Sequence, residues 1–177
     1  YVGNKAAIYD DHRDKDPFWI AEHNSMAHYL NRLDPIKNVL DAPFGTGRFA
    51  PLFFEYNLDI NALDISKDMM EQARKKHPEA MSKAKIHIGG MSDMPYQDNS
   101  IDLVVCYRFL PWIVSFAEAE KSMQELSRVC KHYAILELCV GEHQTGKGKV
   151  SRKRTLWNRL NETELRNWVK GFDFEVI

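Results

Sequence analysis

The chain has 177 residues, 44% hydrophobic and 28% charged, with 24 basic and 25 acidic side chains. That length fits one domain with its own core, and the near balance of charge argues against an extended nucleic-acid-binding face, which would carry excess Lys and Arg. No apolar run reaches membrane-span length, and Cys106, Cys130 and Cys139 form no C-x-x-C pair, so no metal is expected and the setting is expected to be reducing and cytoplasmic.

Residues 1–33 read as an N-terminal lid segment. Within it, residues 18–33 form a helix on the spacing of Ile20, Met26, Ala27 and Leu30. Residues 38–42 are a short buried strand, 47–56 a helix and 60–64 a second strand. Ser66 caps a helix running to about Lys76, because its hydroxyl can accept a first-turn amide. Strands follow at 85–88 and 101–106. Phe116, Ala119, Met123, Leu126 and Cys130 mark one face of a long helix, and 133–138 is a fifth strand. Residues 141–150 are a polar loop. Asn161 and Glu164 resemble a capping box ahead of a short helix, and 172–177 read as a sixth strand that stops abruptly. Alternating strands and helices require crossover connections. The fold expected is α/β, a doubly wound, Rossmann-like, mostly parallel sheet with flanking helices. One domain over 1–177 is expected, a fragment lacking its last strand.

Ligands bind such sheets at the carboxyl ends of the strands, near the switch point. The first strand ends in Asp41, and Gly45-Thr46-Gly47 then turns the chain, with glycines free to take positive φ. A helix N-terminus after the turn would offer amides to a carboxylate, and Asp41 offers charge to an ammonium group. Asp64 ends the second strand, where a carboxylate can accept from a ribose diol. Gly89-Gly90-Met91-Ser92 follows the third strand and leaves room for a flat base, with Met91 able to pack on it. Ammonium, carboxylate, ribose and base together describe S-adenosylmethionine. Gly45 to Ala50 also fits the dinucleotide pattern G-x-G-x-x-[G/A], but a carboxylate at Asp41 would repel a pyrophosphate.

Val39-Leu40-Asp41-Ala42-Pro43-Phe44-Gly45-Thr46-Gly47-Arg48 resembles the first motif of class I S-adenosylmethionine-dependent methyltransferases. Residues 62–74 resemble the strand and helix that follow it, and 94–104 the run into the fourth strand. The likeness is closest to the broad group acting on small molecules, lipids and quinones. It implies cofactor contacts from Tyr9, Asp41, Ala42, Pro43, Gly45, Gly47, Asp64, Ile65, Met69, Gly90, Met91, Ser92 and Tyr107. Two departures stand out: Pro43 replaces the usual first glycine, and Gly90 the usual acid after the third strand.

The resemblance implies methyl transfer by in-line displacement to a small-molecule or lipid-like acceptor. Such a reaction asks chiefly for positioning, exclusion of water and electrostatic fit. Tyr107, Arg108, Glu137 and His143 are the candidates for a catalytic role, with Trp112 as an aromatic wall. His12, His23 and His28 could line the site, although a solvated or capping role is commoner. The basic run 147–154 reads as a solvated loop. An NAD-type oxidoreductase and a catalytically silent S-adenosylmethionine-binding domain stand as alternatives. Neither acceptor nor oligomeric state is legible.

Overall fold

The computed structural model describes residues 17–113, 115–138 and 160–176. Its elements are α1 (Pro17–Leu30), β1 (Asn38–Asp41), α2 (Ala50–Glu55), β2 (Asp59–Asp64), α3 (Lys67–Lys76), α4 (Pro78–Lys83), β3 (Lys85–Ile88), β4 (Ile101–Cys106), a 3-10 turn (Leu110–Trp112), α5 (Phe116–Val129), β5 (Cys130–Leu136) and α6 (Glu162–Lys170). The five strands form one parallel sheet in the order β3-β2-β1-β4-β5. The order reverses between β1 and β4, so the carboxyl ends of those two strands border the crevice expected to hold a ligand.

Side chains alternate across the sheet, so each strand feeds two cores. Leu40, Leu63, Val104 and Cys106 pack with Met123 and Leu126 of α5 and Leu165 and Val169 of α6. Val39, Ala62, Leu103 and Val105 pack with Met26 and Leu30 of α1, Phe53 of α2, Met70 of α3 and Met81 of α4. The amino ends of β1 and β4 are locked together. Asp102 accepts the amides of Lys37 and Asn38 at 2.8 and 3.3 Å, while the Asp102 amide donates to the Asn38 side chain at 3.0 Å. Burial pushes the Asp102 carboxyl up, but those amides, with Lys131 and His132 nearby, hold it below its ordinary value.

Between β3 and β4 no helix forms. That connection is instead fastened to α5: Arg128 donates to the carbonyls of Met94 and Tyr96 and to Asp98 and Glu125, and Glu125 accepts the Met94 amide.

Several boundaries depart from expectation. The second helix begins at Ala50, not at Gly47, because residues 47–49 are still turning. The fifth strand runs from Cys130, which starts the strand instead of closing the helix face. Ile20 is 49% exposed, so the α1 face that packs is carried by Met26 and Leu30. The helix α4 has too few residues to show a periodicity, and its signal is Pro78 at the first turn. Residues 172–176 form no strand. Phe172 and Asp173 bond back to Val169 and Lys170, and Phe172, Phe174 and Val176 pack on the core without pairing. Apolar alternation there reports packing of a coil, not a ladder. The capping box at Asn161 and Glu164 is present with both bonds.

Arg128 joins four acceptors, and only a planar fork of donors can reach them together. Arg128→Ala is expected to lower stability by roughly 2 kcal/mol in urea unfolding, with Arg128→Lys recovering little of it. Glu125 is held below the ordinary carboxylate range chiefly by its bond to Arg128. Its contribution is therefore full at neutral pH and disappears as the pH falls through that lowered value. An Arg128→Ala melt superimposing on wild type would refute this.

Candidate active site

The turn after β1 is shaped by two left-handed glycines, Gly45 at φ +60° and Gly47 at φ +74°. The Ala42–Pro43 peptide is cis. A Cβ on Gly47 would lie 2.7 Å from Phe44 Cε1, whereas one on Gly45 would meet only Met69 Cε at 3.7 Å. The turn is tied to the end of β2. Phe44 donates its amide to the Leu63 carbonyl at 2.8 Å, and Gly45 donates to Asp64 Oδ2 at 2.7 Å. Asp64 Oδ1 accepts the Ser66 amide at 2.8 Å, and the Ser66 hydroxyl accepts the Met69 amide. Each carboxylate oxygen has a second lone pair, so Asp64 keeps two acceptor positions while ordering the turn.

Asp41 is 3% exposed at the carboxyl end of β1. Burial pushes its carboxyl well above the ordinary value; Arg48 opposes this and Asp64 adds to it. A buried carboxylate in that state favours a cationic ligand. Arg48 lies just past the glycines with its guanidinium 3.8 Å from the centre of the Trp19 ring and 4.4 Å from that of Phe49. It donates to the Trp19 carbonyl at 3.0 Å and to Glu22. Its Nε is buried with no hydrogen-bond partner among the described residues.

Glu22 also receives Arg108, whose Nη2 is 3.0 Å from both carboxylate oxygens. Arg108 has φ +55° and donates its amide to Glu137 Oε2. Glu137 in turn donates its own amide to the Cys106 carbonyl at 2.9 Å. Tyr107 stands edge-on to Phe49 with ring centres 5.2 Å apart. Burial, followed by the nearby Tyr29, Glu22 and Glu137, pushes its hydroxyl up to about 12. Together Trp19, Asp41, Gly45, Arg48, Tyr107 and Arg108 surround a cavity of about 50 Å³. A larger cavity of about 330 Å³ lies at the opposite, amino ends of the strands, beside Asn38, Asn61, Lys85 and His87. The smaller one is the candidate site, because it adjoins the switch point and the titratable groups.

The third strand leads to an open floor. A Cβ built on Gly90 meets nothing within 4 Å, and Ile65 is 77% exposed at the end of β2. Ser92 is exposed. Met91 is buried with Leu63 and Met94, so its side chain belongs to the core and not to the open surface. The structure thus brings Asp41, Ala42, Pro43, Gly45, Gly47, Asp64 and Met69 together around one turn, with Ile65 and Gly90 beside it and Tyr107 and Arg108 across the crevice. His23 lies against Phe49, and His28 is on the outer surface beside Tyr29. Tyr9 and His143 lie outside the described residues, as do His12 and the run 147–154. Sequence reasoning missed Trp19 and Glu22, whose spacing carries no local signal, and gave Arg48 no role although it sits inside the motif. It also placed a helix N-terminus at the glycines. The helix starts three residues later, and the Gly45 and Gly47 amides already serve Asp64 and the Phe44 carbonyl.

A family model described as a methyltransferase domain matches residues 40–137, more than half of the chain. An uncharacterised methyltransferase-like protein of Schizosaccharomyces pombe is 31% identical over 100 residues, which are 56% of this chain and 36% of that protein. A malonyl-[acyl-carrier protein] O-methyltransferase of Pectobacterium atrosepticum is 26% identical over 129 residues, 73% of this chain and 47% of that one. The chain thus spans about half or less of the length of these curated relatives. Among solved structures, a magnesium protoporphyrin IX methyltransferase from Synechocystis with bound S-adenosylmethionine superposes with a TM-score of 0.68 at 16% identity, covering 99% of this chain and 89% of that one. At that identity the likeness concerns the fold.

Glycines around the site differ in tolerance. Gly47→Ala combines a left-handed φ with a 2.7 Å clash and is expected to cost about 2 kcal/mol or more in thermal unfolding. Gly90→Ala is expected to melt within a few tenths of a kcal/mol of wild type. Equal melting of the two variants would contradict the geometry described.

Proposed function

The chain belongs to the methyltransferase-domain family, and from that premise we propose that it binds S-adenosylmethionine around Asp41 and Asp64 and passes the methyl group to a small-molecule or lipid-like acceptor. The observation that carries this reading is the buried Asp41 with Arg48 beside it at the switch point. One acid and one base side by side match the ammonium and carboxylate of an α-amino acid. A pyrophosphate would meet repulsion from Asp41 at the same place.

The residues present fit the group. Asp41 would hold the ammonium, which removes the penalty of ionising a buried carboxyl. Arg48, with a buried Nε still to satisfy, would face the carboxylate. Asp64 would use its remaining lone pairs on the ribose hydroxyls, and the open floor at Gly90 and Ile65 would receive the base. When bound, the cofactor supplies a sulfonium-borne methyl open to in-line displacement. The protein contributes position and shielding. Trp19 and Arg48 cover the methionine end, and Tyr107 closes the crevice with Phe49. Tyr107 stays a neutral phenol at physiological pH, because burial raises it; it can donate a hydrogen bond but does not serve as a base. The Glu137 carboxylate accepts the Arg108 amide, which supports a role in ordering that loop. An acceptor that is already nucleophilic needs no further base.

Calorimetry tests the cofactor. S-adenosylhomocysteine is expected to bind and NAD is not, and Asp64→Ala should weaken the former by about tenfold or more. Binding of NAD alone, or undiminished binding by Asp64→Ala, would overturn the assignment. Formation of S-adenosylhomocysteine from S-adenosylmethionine with a trial acceptor separates transfer from silent binding.

A second expectation concerns pH. Asp41 has a raised pKa in the folded chain, so the fold takes up a proton that the unfolded chain releases. The contribution of Asp41 to stability is then greatest at low pH and declines as the pH rises from the ordinary carboxylate value through the raised one. Asp41→Asn abolishes that decline. At pH 7 the variant should melt higher than wild type while binding S-adenosylhomocysteine more weakly, as happens where a site stores unfavourable charge. A lower melting temperature for Asp41→Asn, with unchanged binding, would refute the role given to this carboxyl.

A further inference from the structure

Glu22 lies one helical turn before Met26, on the side of α1 that Met26 and Leu30 bury in the core. Those two apolar anchors fix that side of the helix against the sheet, so the place of Glu22 is set by packing and not by its own charge. Its side chain is 20% exposed, and that of its partner Arg48 is 11% exposed. An ion pair this far out of water comes from two elements that the core already holds, the helix α1 and the turn after β1.

The effect of Glu22 is visible in Arg48. The Glu22 carboxylate accepts from Nη1 of Arg48, the Trp19 carbonyl accepts from Nη2 at 3.0 Å, and the centre of the Trp19 ring is 3.8 Å from the guanidinium carbon. Both terminal nitrogens are thus committed to α1. The nitrogen left over is Nε, which is buried with no hydrogen-bond partner among the described residues. Arg48 borders the small cavity together with Asp41 and Gly45. A free arginine side chain samples many rotamers, and a site gains affinity when that freedom is removed before the ligand arrives. Nor does the Glu22 charge stand bare against an incoming carboxylate, because both its oxygens also lie 3.0 Å from Nη2 of Arg108.

Resting on the methyltransferase reading above, we propose that Glu22 is a positioning residue for the cofactor. It holds Arg48 turned so that the Nε side of the guanidinium is left for the carboxylate of S-adenosylmethionine. Glu22 acts on the cofactor only through Arg48.

Calorimetry with two ligands separates this role from a merely structural one. One is S-adenosylhomocysteine; the other is its decarboxylated analogue, which keeps the ammonium, the thioether and the adenosine. Glu22→Gln keeps the length of the side chain and removes its charge. It should weaken S-adenosylhomocysteine binding by about tenfold and leave the analogue within a factor of about two of wild type. In an Arg48→Gln background the same substitution should change neither affinity, because the side chain it acts through is gone. Should Arg48→Gln fail to fold, the two ligands on Glu22→Gln alone still decide. Equal weakening of both ligands by Glu22→Gln, undiminished S-adenosylhomocysteine binding, or a full loss persisting in the Arg48→Gln background would overturn the proposal. Failure of the wild-type chain to bind S-adenosylhomocysteine would instead overturn the methyltransferase reading, so the two failures are distinct.

Discussion

The carboxylate of Asp64 joins the end of one strand to the turn after another. It takes the Gly45 amide on one oxygen and the Ser66 amide on the other. Parallel neighbours such as β1 and β2 run out at the same edge of the sheet, and nothing in a parallel ladder fixes how their loops lie. Asp64 does so here. The bond to Gly45 keeps the turn close to β2, and that proximity lets Gly47 pack where Phe44 leaves no room for a Cβ. The bond to Ser66 starts α3, which places Met69 against the turn from the other side. One side chain thus sets the loop and the following helix, with acceptor lone pairs to spare. Glycine supplies permission for the turn, but the carboxylate gives it direction.

The opposite edge of the fold shows what happens when a crossover lacks its helix. Both faces of a parallel sheet are ordinarily covered, and its strands read as unbroken apolar runs. At the amino ends of β1, β2 and β3 the pattern is polar: Asn38, Asn61, Lys85 and His87 border an open cavity. The connection from β3 to β4 compensates by leaning on α5 through Arg128 and Glu125. The guanidinium replaces with hydrogen bonds the contact area that a helix would have buried. Because those bonds run to backbone carbonyls of Met94 and Tyr96, they depend little on the side chains of the loop.

How much of this was legible followed from the range of each signal. The sheet was readable because its strands are short, apolar and punctuated, and the helices α3 and α5 because Ser66 and the Ala119-Met123-Leu126 spacing are local. Asp41, Gly45, Gly47 and Asp64 were readable because a parallel sheet puts the ends of its strands together wherever the chain goes in between. Met91 misled because adjacency to a glycine pair says nothing about which way a flexible side chain turns; it went to the core. Phe172, Phe174 and Val176 misled because alternation reports a buried side, and a coil has one too. Trp19 and Glu22 were invisible because their partners, Arg48 and Arg108, lie 26 and 86 residues from Glu22 in sequence. A long-range ion pair leaves no periodicity behind it.

Two acids, Asp64 and Asp41, are followed in space by Arg48, Glu22 and Arg108, and the order has a consequence. Asp64 and Asp41 repel, which adds to the burial that raises Asp41. Arg48 relieves part of that, but it is also engaged by Glu22, so its field is divided between two carboxylates. Buried charges of this kind interact strongly because little water lies between them. A cation at the carboxyl end of β1 would relieve what Arg48, divided in this way, leaves uncompensated at Asp41.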